Sequence, residues 1–478
     1  MVGRVHALRP LLLIAAIAVS CTLPAPAQLT PTPSSSIAIA PASTEFDAAK
    51  AKAHVDYLAA PERGGRYSGS AGYRGAATYV ADRFREIGLE PLGDNGTYFQ
   101  HFTMPLVDLT EMSTLTIPGG KSYVARADFT ENVGGRSGSG KAEATLAAIG
   151  GAAAEDFAGA SVRGKIALIT GPASPNGGSS VENAYQAGAI GALIVGNASL
   201  RYSYPPRLQQ QTIPVLVITE AVANELLAPA GQNVSSAQAK VRNHRANPNV
   251  APSGFDVATT VSMSVSLTPV HDVDAMNVVG LLRSPDPSNG QRAVLIGGHL
   301  DGVGTDPNGA VFQAANDNAS GPAVTIEVAR ALAAARSSLS HSIVFVAFAG
   351  EEEGFFGSEA YAAQMAAIPG RVESLVAVLN LDVIGCCSDT LIVSNEDPAL
   401  QRRVRDAATS LGLTSEGVGG GGSDQTSFAR RRVPAVFIGL ADYILHVYDD
   451  KPSVVEASRL EKAGAVVVAV AKQLASAP

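Results

Sequence analysis

Ile343-Val344-Phe345-Val346-Ala347-Phe348-Ala349-Gly350-Glu351-Glu352-Glu353-Gly354 is the stretch on which the reading of this chain turns. Its apolar residues 343–348 have the length and composition of a strand buried on both faces, as in a parallel sheet covered by helices. Apolar runs at 294–296, 376–381 and 435–438 repeat the pattern. Between 294–296 and 343–348, Val324, Val328, Ala329 and Leu332 recur at helical spacing, with Pro322 suited to the helix's first turn. Strand and helix alternate, so the expected fold is α/β, a mostly parallel twisted sheet flanked by helices.

In open α/β sheets the site lies beyond the carboxyl ends of the strands. Four polar islands stand there: His299-Leu300-Asp301, Asp317-Asn318-Ala319-Ser320-Gly321, Glu351-Glu352-Glu353-Gly354 and Asn380-Leu381-Asp382, which a late His446 could join. Taken singly, each also reads as a solvated loop. Together they supply two histidines and several carboxylates, the donors that a pair of zinc ions needs for hydrolysis.

At 478 residues the chain is long enough for two domains. Apolar residues make up 46% and charged ones 16%, the balance of a soluble globular protein. The formal charge is -8, and losing Arg4 and Arg9 with residues 1–21 makes it -10. Nucleic acid is therefore excluded as a partner, since it calls for clustered basic side chains. Three cysteines make no disulfide framework, and Cys386 and Cys387 are expected to be buried thiols.

Arg4, His6 and Arg9 precede an apolar run, 11–19, too short to span a bilayer, so the N-terminus reads as an export signal. Ala18-Val19-Ser20-Cys21 resembles a bacterial lipoprotein box, which implies lipid on Cys21 and a membrane tether. Cleavage at Ala25-Pro26-Ala27 would instead release a soluble protein. Residues 1–21 are thus assigned as signal and 22–43 as a flexible Pro/Ser/Thr linker. Thr44-Glu45-Phe46-Asp47 reads as a capping box for a helix running to Leu58. A second helix is expected from about Gly72, with Ala76, Val80, Phe84 and Ile87 on one face and Gly88 as its stop. From 108 to 258 short β-type runs alternate with glycine. Gly164-Lys165-Ile166-Ala167-Leu168-Ile169 and Ala187-Gly188-Ala189-Ile190-Gly191-Ala192-Leu193-Ile194-Val195 there resemble a protease-associated (PA) domain.

The four islands, in their order, resemble the co-catalytic di-zinc aminopeptidases of peptidase family M28, some of which carry an inserted PA domain. The resemblance covers nearly everything from Thr44 onward. It implies a zinc-exopeptidase fold of the phosphorylase/hydrolase-like kind, formed by 44–110 and 260–478, with the PA insertion at 111–259. It implies two Zn²⁺ per chain, one held by His299 and Asp382, the other by Glu352 and His446, with Asp317 bridging. Glu351 would be the general base, Glu353 a variable position, and Asp301 would orient His299. A cis peptide bond at Asp317-Asn318 is also implied. The expected activity is that of an exported, monomeric aminopeptidase acting on peptides with a free N-terminus.

Two departures stand out. Leu445 precedes His446 where the family often has an oxyanion-stabilising tyrosine, a role that either passes to Tyr443 or Tyr448 or is absent. Ser423-Asp424-Gln425 replaces Ser-Asp-His, and Asp450 keeps the family's spacing from His446. Phe356, Phe428, Tyr443 and Ile444 are candidates for the substrate pocket, while His54, His101, His244, His271 and His341 are expected at surface or loop positions. The alternatives are a carboxypeptidase or glutamate-releasing peptidase on the same metals, a glutaminyl cyclase, and an inactive peptide-binding protein.

Overall fold

The computed structural model describes residues 45–157, 159–171, 179–201, 207–420, 422–441 and 443–476. The export signal, the linker and Cys21 lie outside the described residues. Among the described residues, no helix is long and apolar enough to cross a membrane.

The runs that read as doubly buried strands become the centre of a nine-stranded sheet. Ser342–Phe348, Ala293–His299, Leu375–Leu381 and Ala435–Leu440 lie side by side, all parallel. Side chains alternate across it as strand geometry requires. Val294, Ile296 and Phe345 enter one core, Leu295, Val344 and Val346 the other. Helices Ala48–Leu58, Ala71–Ile87, Ser320–Ala334, Pro398–Ser410 and Ala457–Ala475 bury the first face. Phe356–Ala366 and Gln425–Ala429 cover the second. Ser70 caps the second helix and Gly88, at φ +87°, ends it.

Antiparallel strands flank this parallel centre. His271–Leu282 pairs with Ser342–Phe348, and Phe99–Leu106 pairs with His271–Leu282 in turn. His271 lies opposite Leu106, so the chain leaves the sheet after Leu106 and re-enters at the neighbouring strand. The intervening segment builds a seven-stranded sheet, from Leu109–Thr116 through Phe255–Leu267, Gly140–Ala148, Ile166–Ile169, Gly191–Val195 and Val215–Ile218 to Phe129–Glu131. It has its own cores, one beneath helices Glu220–Leu227 and Val234–Ala246 and one beneath Ser180–Gln186.

Three expectations are corrected. The first helix starts at Ala48 with Asp47 as its cap, accepting from the Lys50 amide at 3.0 Å, rather than from a box opened by Thr44. Cys386 and Cys387 form a disulfide and are not free thiols. Their adjacency brings the two Cα atoms to 3.8 Å, and Cys387 takes a left-handed φ of +76°. Of the five histidines set aside, His54, His244 and His341 are buried. Each has a partner that offsets the desolvation of its ring: Tyr79 Oη, Val250 O and Leu474 O respectively.

Candidate metal centre

The donor side chains all issue from the carboxyl edge of the parallel strands. His299 is the last residue of Ala293–His299. The two residues before it must be small: a Cβ on Gly297 would lie 2.1 Å from Val346 O, and one on Gly298 2.1 Å from Leu381 O. Asp382 directly follows Leu375–Leu381, with its amide bonded to Ile438 O at 3.1 Å. Glu351 and Glu352 follow Ser342–Phe348 after Gly350, whose amide donates to Ser68 Oγ at 3.0 Å. Asp317 sits in the turn Ala315–Ala319, and its bond to Asn318 is cis. Asp450 fixes that turn by accepting from the amides of Asn316 at 2.7 Å and Asp317 at 2.9 Å. His446 comes from the loop after Ala435–Leu440, with φ +56°.

Two clusters form, and they share Asp317. In the first, His299 Nε2 lies 3.2 Å from Asp382 Oδ1 and 3.3 Å from Asp317 Oδ1. In the second, His446 Nε2 lies 3.2 Å from Asp317 Oδ2 and 2.7 Å from Glu352 Oε2. Tetrahedral zinc about 2.0–2.2 Å from each donor places neighbouring donors roughly 3.3 Å apart. Three of the four separations match that edge, and the imidazole-carboxylate chemistry suits zinc, so both clusters fit the metal.

The surrounding field is strongly acidic. Burial pushes Glu351 well above the usual carboxylate range; His299 opposes the shift, while Asp382, Glu352 and Asp424 reinforce it. Burial would also raise Asp317, but His299 and His446 outweigh it and hold that carboxyl below its ordinary value. Burial works against protonation of both histidines, yet the carboxylates around them leave each well above the usual imidazole range. Asp424 and Asp450, both buried, are pushed up to about 7.

Asp301 approaches His299 without closing a hydrogen bond. Its Oδ1 faces His299 Nδ1 at 3.6 Å, while Oδ2 accepts from the Glu352 amide at 3.2 Å. Glu353, read as variable, is only 2% exposed. Gln425 is fully buried, accepting from Asn380 Nδ2 at 3.2 Å and donating to Glu396 at 2.9 Å. Asn380 also donates to Ser423, which donates to Asp382 Oδ2 at 2.8 Å. Phe428 is corrected as a pocket candidate: it packs in the core against Phe348 and Tyr361. Phe356 packs against the opposite core. Tyr443 is half exposed, and burial followed by Asp382 and Asp317 raises its hydroxyl pKa. Tyr448 instead stands edge-on to Phe312.

Arg66 is the contributor that sequence reading missed. Fully buried, it donates to Leu58 O at 3.0 Å, Leu300 O at 2.6 Å, Gln313 O at 2.9 Å and Ala314 O at 2.7 Å, tying the His299 and Asp317 loops together. Burial lowers its pKa to about 10, although Asp450, Asp301, Asp317 and Glu352 all favour its charge.

The peptidase family M28 model matches residues 277–471, which include every donor above, and the PA domain model matches residues 140–226, which include none. The chain is 27% identical over 209 residues to a "Probable leucine aminopeptidase" of Arthroderma otae, covering 41% of this chain and 58% of that protein. It is 34% identical over 163 residues to a "Probable zinc metalloprotease" of Pyricularia oryzae, covering 34% of this chain and 29% of that one. The chain thus spans less than two thirds of the length of these curated relatives. In fold it is similar to the solved aminopeptidase from Aneurinibacillus sp. strain AM-1, with a TM-score of 0.68 at 22% identity, over 91% of this chain and 95% of that one. Residues 277–471 thus match peptidase family M28, and a match to the PA domain, at residues 140–226, precedes them in the chain.

Proposed function

We propose that this chain is a zinc-dependent aminopeptidase that removes amino-terminal residues from peptides. The observation that carries the reading is the pair of donor clusters sharing Asp317, with Glu351 Oε2 4.0 Å from His299 Nε2 at their side. In this reading His299, Asp317 and Asp382 hold one zinc, and Asp317, Glu352 and His446 the other. Zinc there supplies Lewis acidity toward the scissile carbonyl and toward water.

Glu351 is the general base. A carboxylate whose burial raises its pKa takes the proton from attacking water and returns it to the departing amine. Asp301 orients His299 from the side of Nδ1, and Asp450 fixes the backbone of Asp317. Tyr443 is the residue to which we assign the oxyanion contact that Leu445 lacks. The excess of carboxylates around the clusters favours a cationic α-amino group, hence a free peptide N-terminus.

We further propose that the chain is exported as a monomer and held at a membrane by lipid on Cys21. The basic residues before the apolar run 11–19 support export, and the intact mass of the mature protein reads the lipid directly.

A panel of free and N-blocked aminoacyl amides, with and without chelator, tests the activity. We predict turnover of the free amides alone, lost on chelation. Equal turnover of blocked substrates, or release of residues from the carboxyl end, would overturn the aminopeptidase reading.

A further inference from the structure

One loop of the peptidase sheet reaches into the PA segment through a buried carboxylate. Asp306 lies in the turn after His299-Leu300-Asp301, where its amide bonds to Ala310 O and its carbonyl accepts from Gly309. Its side chain is about 1% exposed and meets two arginines of the inserted segment. Arg126 grips it with two bonds, Nε to Oδ2 at 2.9 Å and Nη2 to Oδ1 at 2.8 Å. Arg201 adds a third, Nε to Oδ1 at 2.9 Å. Arg126 also grips Glu131 at 2.9 and 2.7 Å, so these two guanidinium groups face two carboxylates.

Arg201 has a second contact, and it leads to the metal centre. Its backbone amide donates to the carbonyl of His446 at 2.8 Å. His446 needs such support. It holds a left-handed φ of +56°, its ring is the most exposed of the donors at 21%, and it stands in a loop rather than at the end of a strand. The Arg201 guanidinium lies 5.8 Å from the ring centre of buried Phe312, which packs against Tyr448 two residues beyond His446. One residue of the insertion thus joins Asp306, the Phe312 loop and the backbone of a donor.

We propose that Asp306 is a positioning residue: through Arg126 and Arg201 it anchors the inserted segment so that Arg201 fixes His446, and with it the Asp317-Glu352-His446 zinc site. The proposal rests on the two-zinc reading above. It gives the insertion a role in metal retention that falls on one site of the two. The cluster His299-Asp317-Asp382 receives both of its other donors from strand ends and has no such dependence.

The test is zinc titration against a competing chelator, read as stoichiometry and two affinities, on the full chain and on Asp306→Asn, Asp306→Glu, Arg201→Ala and His446→Ala. In the folded Asp306→Asn protein we expect one zinc at wild-type affinity and the second weakened by about tenfold or more, the size of effect typical for removing a group that orients a ligand. Asp306→Glu, which keeps the carboxylate, should recover much of the loss, and His446→Ala should show the same single vacancy in full. Wild-type affinity at both sites would overturn the proposal, as would equal weakening of both, the mark of general loosening. If Asp306→Asn does not fold, Arg201→Ala carries the same discrimination, because it keeps the backbone amide on His446 and removes the guanidinium that meets Asp306. Should the unaltered chain bind fewer than two zinc ions, the reading on which the proposal rests fails, a result distinct from any variant effect.

Discussion

At the scale of single residues, the proposed function divides the site into groups that would hold metal and one that would react. Glu351 lies 4.0 Å from His299 Nε2 and belongs to neither donor cluster. Replacing it should therefore spare the metals. We predict that Glu351→Gln lowers kcat by about 10²- to 10⁴-fold, the usual worth of a positioned base, with zinc content unchanged by elemental analysis. Asp317 is the opposite case, because both clusters contain it. Asp317→Ala should empty both positions, whereas Asp301→Ala, which removes a neighbour 3.6 Å from His299 Nδ1 and the acceptor of the Glu352 amide, should weaken binding by about 10- to 100-fold. Equal zinc loss in the two variants would count against these roles. His299, Glu351, Glu352 and Asp382 were legible because each stands at or just beyond the end of an apolar run, where an α/β sheet exposes its carboxyl edge, whereas Asp317 and His446 sit in loops and were legible through the motif resemblance. Arg66 was not, since an arginine in Arg63-Gly64-Gly65-Arg66 reads as a solvated turn. Its burial follows from long-range carbonyl partners, at Leu300, Gln313 and Ala314, that no local pattern announces.

At the scale of elements, three helices on one face of the sheet are joined by a polar contact as well as by their core. His54 on Ala48–Leu58 meets Tyr79 on Ala71–Ile87 at 2.8 Å and Glu327 on Ser320–Ala334 at 3.4 Å. Burial alone would raise the Glu327 carboxyl, but His54 and Arg330 more than offset it and leave it below its ordinary value. A depressed carboxyl stabilises the fold above its unfolded pKa and loses that contribution as pH falls through the folded one. We predict that Glu327→Gln costs about 1–3 kcal/mol near neutrality, the worth of hydrogen bonds to a buried charge, and that the gap to the unaltered chain closes as pH falls below about 4. Thermal unfolding of both proteins across that range measures it; a gap independent of pH would mean that shape, not charge, matters there. The four parallel strands were legible because burial on both faces leaves a continuous apolar run. The antiparallel flanks were not: His271–Leu282 begins with charged and polar residues, and its pairing with Phe99–Leu106 spans the whole insertion.

At the scale of the whole molecule, two large sheets with separate cores are carried by one chain, and the candidate donors belong to only one of them. Metal removal should then act unevenly. Without zinc, the carboxyl groups of Asp317, Glu351, Glu352 and Asp382 remain crowded together, burial raises the pKa of Glu351 and Glu352, and the loops that carry them lose the tie that an ion would supply. Zinc bound only by the folded state adds about 2.7 kcal/mol per site when free zinc is a hundredfold above Kd. That stabilisation disappears on chelation, first from the least supported segments. We predict that chelation raises amide exchange at 315–319, 350–354, 382–388 and 444–450, and leaves the strands Gly140–Ala148, Ile166–Ile169 and Gly191–Val195 protected as before. Mass-spectrometric exchange, with and without zinc, resolves these peptides. A uniform rise across both sheets would mean that the two cores unfold as one cooperative unit, with the ions securing the inserted sheet as firmly as their own.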